Sequence, residues 1–250
     1  MQENIPDLWR HLIPEKSRDS NKYDYGSALI YAAEELTGAT RLAASACARM
    51  GIGLVTVLSR AQSAAIYRSA LPAHIMVRED MNWHHEKVSV KIYGPGGLSV
   101  LPDYKSNITT ILDAAALHDL PKKLSENFIL TPHDGEFEKA FPDIKGTRLE
   151  KVIEAAQKIN AHIVLKGSET IIASPKGKHI INRHAPPFLA IAGAGDVLAG
   201  MIGGLAGQKM PIFQACCAAT WIHGECAYKF GKGLVAEDLV DMIPFILQNI

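Results

Sequence analysis

Four short clusters in this 250-residue chain carry the polar and glycine-rich residues that could do chemistry: GPGG (94–97), TPHDGE (131–136), KGSET (166–170) and AGAGD (192–196). The last opens FLAIAGAGDVLAGMIGGLAG (188–207), a small, apolar run with a single charge, Asp196. Gly193 and Gly195 let a ligand approach the backbone. The N–H groups of Gly193, Ala194 and Gly195, opening a helix, would form an anion hole favoured by the helix dipole. That suits a phosphate. An aspartate at the same helix start can take a proton from a nearby hydroxyl, the general-base task in phosphoryl transfer. A helix-capping acid would occupy the same place. Either reading puts Asp196 at a helix end facing a cleft, because burying an unpaired carboxylate is expensive. A membrane span is the weaker reading of the run, since an acid at mid-span costs roughly 2.5 to 3.5 kcal/mol and glycine adds no hydrophobicity. The chain has no GxxxxGK[ST] and no GxGxxG after a strand. Phosphate binding would therefore rest on AGAGD and divalent cations.

Taken singly, the other clusters have plainer readings: GPG as a turn, Lys166 as a solvated strand end, His133 as a helix-start histidine. What unites them is the pattern of elements that must position them. Strand-like runs at 27–33, 54–58, 87–93, 109–114, 127–131 and 161–167 alternate with helical patterns at 37–51 and 148–160, Thr37 serving as a plausible N-cap and Gly51 as a stop. Two shorter strands, TIIAS and HIIN, precede a helical C-terminal third. This alternation predicts an α/β sandwich around a mainly parallel sheet. Ligands in such folds bind beyond the carboxyl ends of the strands, where all four clusters fall.

Composition bounds the partners. Lysine plus arginine (26) balance aspartate plus glutamate (26), so no overall field favours nucleic acid or an anionic membrane. The N-terminal residues mix both charge signs and lack the apolar stretch of a signal peptide, which predicts a cytoplasmic protein. Cys47, Cys216, Cys217 and Cys226 form no CxxC pair and read as reduced core cysteines. The expected organisation is an N-terminal extension over 1–20, with Trp9, Leu12 and Ile13 available for packing, followed by one domain over 21–250.

In combination the motifs carry a resemblance. GAGDVLAGMIGGL resembles the anion-hole signature of the ribokinase-like superfamily. LTPHDGEFEKAF (130–141), IVLKGSETIIASPKGKHIIN (163–182), AGAGDVLAGMIGGLAGQ (192–208) and ATWIHGECA (219–227), in this order, narrow it to the NAD(P)H-hydrate dehydratase family, and TGATRLAASACARMGIGLVTV (37–57) and GPGG match its N-terminal half. The resemblance implies a ribokinase-like three-layer α/β/α sandwich. It also implies nucleotide-dependent dehydration of (S)-NADHX or (S)-NADPHX to NADH or NADPH, a metabolite-repair lyase reaction in which the hydrate hydroxyl is phosphorylated and lost as phosphate. The phosphoryl donor would be ADP or ATP with Mg2+.

By carry-over, Asp196 is the catalytic base, and Gly193, Ala194 and Gly195 stabilise the transferring phosphoryl group. Ala39, Gly96, His133 and Asp196 contact the hydrated cofactor. Lys166, Gly167, Ser168, Glu169, Thr170 and Gly195 bind the adenine nucleotide, and Glu136 helps hold magnesium through water. Relatives form homo-oligomers, and the same is expected here. The alternatives are another ribokinase-like small-alcohol kinase, or a non-catalytic nucleotide-binding homologue. The chain departs from the family pattern at four places that face ligands: Tyr31 to Glu35 after the first strand, the shortened GPGG, LDAAALHD with Asp113 alone retained, and His184 to Phe188 ahead of the anion hole.

Overall fold

The computed structural model describes residues 2–250. Strands form where β-branched and aliphatic runs bury both faces, and helices where one face is apolar. The helix Arg148–Ile159 (α4) shows the local logic. Thr147 accepts from the Glu150 amide while the Glu150 carboxylate accepts from the Thr147 amide, and Asn160 ends the helix in the left-handed region. Val152, Ala155, Ala156 and Ile159 fall on its buried side.

In chain order the remaining elements are β1 (Ser27–Tyr31), α1 (Thr37–Arg49), β2 (Leu54–Leu58), α2 (Ala61–Ala70), β3 (Met76–Arg78), β4 (Val88–Tyr93), β5 (Thr109–Leu112), β6 (Phe128–Leu130), α3 (Asp134–Ala140), β7 (His162–Leu165), β8 (Thr170–Ala173), β9 (His179–Asn182), α5 (Ala194–Gly207), α6 (Ile212–Phe230) and α7 (Ala236–Leu247). All the expected strands are present. The weakly amphipathic α2 and the short β3 and α3 gave no periodic signal in the sequence. Thr37 is not the cap of α1: Leu36 occupies that position without a side-chain hydrogen bond, and Thr37 is the first helical residue. Thr40 secures this end of the helix instead, its hydroxyl accepting from the Ala33 amide and donating to the Pro95 carbonyl.

The nine strands form one sheet in the order β3-β2-β1-β4-β5-β6-β7-β8-β9, parallel from β3 to β7, with β8 antiparallel to both its neighbours. Alternate strand residues feed two cores. Ala28, Ile30, Val90, Ile92, Ile111 and Val164 pack with α1, α5, α6 and α7 on one face. Leu29, Tyr31, Leu112, Leu130 and Ile163 pack with α3 and α4 on the other. The expected three-layer α/β/α sandwich is what forms. Among the described residues no helix is long and apolar enough to cross a membrane, and the glycine-rich run becomes the core helix α5. All four cysteines are free and buried.

The first residues are docked on the body. Backbone hydrogen bonds join Gln2 and Asn4 to Ile181 at the outer edge of β9, Asn4 is buried against Asn182 and the Cys217 carbonyl, and Trp9 is fully buried beside Trp221. Two features of the sheet matter for chemistry. The strand order reverses between β1 and β4, which opens a crevice at their carboxyl ends. Gly94, with φ +107°, packs so closely on the end of β5 that a β-carbon there would lie 1.7 Å from the Asp113 carbonyl oxygen.

Candidate active site

The first turn of α5 is set by Gly193, whose φ of +89° swings the chain into the helix without any side-chain cap. Asp196 is the third helical residue, half-buried, and accepts no hydrogen bond from the described residues, so it is not the helix cap. Around it stand the ends of three strands. Asp113, after β5, is almost fully buried and accepts from the Thr131 hydroxyl at 2.7 Å and from Lys166 Nζ at 2.8 Å. Lys166, after β7, also lies 4.0 Å from Glu136, and its ammonium is 3.2 Å from where a β-carbon on Gly195 would be.

This arrangement sets the protonation of Asp196. Burial, chiefly, and then the negative charges of Asp113 and Glu136 push its carboxyl up to about 6, while Lys166 opposes them. A carboxylate poised there is largely ionised at neutral pH, yet basic enough to take a proton from a hydroxyl.

A cavity of about 420 Å3 opens over the same helix turn. Lys166, Gly167, Ser168, Thr170, Ala194 and Gly195 supply its polar side, and Pro186, Pro187, Leu189 and Leu198 its apolar wall. Apolar walls with convergent polar groups suit a nucleoside, and amides at a helix start suit its phosphates. Glu169 stands apart from the other expected nucleotide residues: it is absent from the lining and its carboxylate pairs with Arg183 at 2.7 Å.

His133 and Glu136 meet at the start of α3. His133 caps the helix through Nδ1, which accepts from the Gly135 and Glu136 amides, while Glu136 accepts from the His133 amide at 2.8 Å. The plain reading of His133 as a helix-start residue is thus correct locally; its exposed ring stands 3.5 Å from Glu136 through Nε2, and its backbone is bridged to that of Lys166. Ala39 and Gly96 meet at the crevice: a β-carbon on Gly96, φ +81°, would lie 3.0 Å from that of Ala39. They adjoin the anion hole through α1, whose Leu42 packs on Gly193.

Residues 28–245 match the family described as NAD(P)H-hydrate dehydratase. The chain belongs to the NAD(P)H-hydrate dehydratase family. It is 35% identical over 243 residues to the bifunctional NAD(P)H-hydrate repair enzyme Nnr of Thermosynechococcus vestitus, covering 88% of this chain and 48% of that one. The chain therefore spans about half the length of such bifunctional relatives. It is 29% identical to the ADP-dependent (S)-NAD(P)H-hydrate dehydratase of Neisseria meningitidis, over 87% of this chain and 81% of that one. Among solved structures, the ADP/ATP-dependent NAD(P)H-hydrate dehydratase of Bacillus subtilis, co-crystallized with ATP/Mg2+, superposes with a TM-score of 0.87 at 28% identity, over 99% of this chain and 98% of that one. The fold is shared as well with a ribokinase-like superfamily protein of Enterococcus faecalis, with a TM-score of 0.87 at 22% identity over 99% of this chain and 95% of that one.

Three residues of this dehydratase-family site had no role assigned from the sequence. Asp113 was visible only as the retained acid of LDAAALHD, and its pairing with Lys166 depends on β5 and β7 flanking β6. Arg148, at the start of α4, clamps the KGSET loop, donating to the carbonyls of Lys166 and Glu169 and to Asp134. Its guanidinium would lie 2.6 Å from a β-carbon on Gly167. His223 lines the cavity from α6, with Nε2 buried and unpartnered among the described residues. Burial above all, with Lys166 adding to it, drops His223 to about 4, so the ring is neutral beneath the anion hole. In the sequence His223 stands inside ATWIHGECA, one of the motifs that carry the family resemblance, without a role of its own.

Proposed function

We propose that this protein dehydrates (S)-NADHX or (S)-NADPHX to NADH or NADPH, with ADP or ATP as phosphoryl donor. The observation that carries the reading is Asp196, uncapped and raised to about 6, at a helix start between the nucleotide-sized cavity and the β1/β4 crevice. Asp196 takes the proton of the ring hydroxyl as its oxygen attacks the terminal phosphorus. The N–H groups of Gly193, Ala194 and Gly195 receive the charge on the phosphoryl oxygens. Phosphate then leaves in place of hydroxide, and with loss of one ring proton the double bond of the dihydronicotinamide returns. Lys166 holds the nucleotide side of the site, with Gly167, Ser168 and Thr170. Ala39, Gly96 and His133 line the hydrated-ring side.

The donor set also fits magnesium in one mode. Carboxylate oxygens of Asp113, Glu136 and Asp196 are hard ligands, yet no group of three forms a chelating cluster among the described residues. Glu136 would help hold the ion through water. When bound, magnesium would neutralise charge on the phosphates. Free cysteines support a cytoplasmic setting. The protein would act as a homo-oligomer, which light scattering after size exclusion would test.

The direct test incubates purified protein with magnesium, (S)-NADPHX and either ADP or ATP, following the return of reduced-nicotinamide absorbance. Nucleotide-dependent NADPH formation establishes the activity and names the donor. Phosphate transfer to an added small alcohol without NADPH formation would replace it with a kinase reading.

A further inference from the structure

A second cavity, of about 330 Å3, lies between α1 and α7 and is lined by Gly38, Arg41, Leu42, Arg49, His74 and Glu237 among others. It adjoins the site already described. A β-carbon on Gly193 would lie 2.6 Å from Leu42 Cδ1 and 2.8 Å from the β-carbon of Ala236, the neighbour of Glu237. Gly38, on its rim, precedes Ala39, which meets Gly96 at the crevice. One side-chain layer therefore separates this cavity from the anion hole at Gly193 and from the crevice residues Ala39 and Gly96 that the hydrated ring would touch.

Its charges are arranged for an anion. Arg41 Nε is buried without a hydrogen-bond partner, and its guanidinium makes no ion pair among the described residues. A guanidinium left so incompletely paired is costly unless a ligand supplies acceptor oxygens, and its planar fork matches phosphate. Arg49 adds a second cation, held only loosely by Asp241 at 3.8 Å. The two acids of the lining, Glu237 and Asp241, are exposed, whereas Arg41 is half-buried.

We infer that this cavity binds the second, adenosine-bearing half of the dinucleotide substrate, with Arg41 and Arg49 taking its phosphate oxygens. The inference rests on the dehydratase reading, which places a dinucleotide with its nicotinamide end at Ala39, Gly96 and Asp196. It separates the two adenosine moieties that the reaction must hold at once. The phosphoryl donor occupies the cavity over Lys166 and Gly195; the substrate's own adenosine half lies across α1.

The test measures equilibrium binding of NADPH, of reduced nicotinamide mononucleotide (which lacks the adenosine half) and of ADP, in wild type, Arg41→Ala and Arg49→Ala. Arg41→Ala should weaken NADPH binding about tenfold or more while leaving the mononucleotide and ADP unchanged. Arg49→Ala, at an exposed position that leaves folding intact, should weaken NADPH about threefold. Unchanged NADPH binding in both variants overturns the assignment, as does an equal loss for ADP. Turnover of (S)-NADPHX distinguishes the two failures. Wild type that turns over the hydrate while both variants bind NADPH normally overturns only the cavity's role. Wild type that binds NADPH through Arg41 but forms no product from the hydrate overturns only the dehydratase reading.

Discussion

The two ends of α5 use glycine for opposite purposes. At its start, Gly193 turns the chain through a left-handed φ, and at Gly195 only the flexible end of Lys166 comes near the position of a missing β-carbon. Farther along, a β-carbon at Gly200 would lie 2.2 Å from the Ala43 carbonyl oxygen, and one at Gly204 2.7 Å from that of Cys47. Gly195 keeps backbone open to a ligand, with Gly193 making the turn ahead of it against Leu42 and Ala236; the second pair lets α1 and α5 touch backbone to backbone. A glycine-rich helix thus marks a site at one end and a packing seam at the other, and what lies against each glycine tells them apart.

Substitutions should separate the two ends cleanly. The largest effect is expected at Asp196→Asn, which should cut kcat by about 10²- to 10⁴-fold with nucleotide binding kept. It should also stabilise the fold at neutral pH. The folded carboxyl titrates near 6, above its ordinary value of 3.8, so its stabilising contribution is fully present below about 3.8 and lost as pH rises through 6. Melting curves of the wild type should show that dependence and those of Asp196→Asn should lack it; identical curves would argue against a strained carboxylate.

Gly200→Ala comes next. It should destabilise the protein by about 3 kcal/mol through overpacking, read from denaturant unfolding, while each folded molecule retains its activity. A fall in kcat without loss of stability would mean that the seam belongs to the site. Gly195→Ala should do the reverse, lowering kcat/KM about 100-fold by displacing the Lys166 ammonium and the phosphoryl oxygens, with the melting temperature little altered.

The smallest effects concern the tuning of Asp196. Its ionisation should shape the acid limb of the pH–rate profile, with activity falling below an apparent pKa of about 6. Lys166→Met removes a cation that favours the carboxylate and should move that limb to higher pH. Asp113→Asn removes a repelling charge and releases Lys166, so the limb should move to lower pH. Limbs that stay in place in both variants would assign the profile to another group.

Much of this site was legible before any fold was known, because its backbone parts are local. AGAGD must combine a turn, free amides and an acid, and KGSET and TPHDGE each end a run of strand residues. The side-chain network was not legible. Asp113, Thr131 and Lys166 lie 18 to 53 residues apart, and only adjacent parallel strands bring their ends together. Arg148 and His223 come from helices whose periodicity reports burial, not what these two side chains face. The same holds for Glu169: its position in KGSET suggested the nucleotide, yet Arg183 on β9's trailing loop draws the side chain outward.

The sequence by itself determined the alternation of strands and helices, the family and the identity of the acid at the helix start, because hydrophobic period and glycine placement are properties of neighbouring residues. Only the tertiary structure decided how basic Asp196 is and which surfaces adjoin it. Both depend on burial and on charges that converge through strand order, and neither exists until the sheet is assembled.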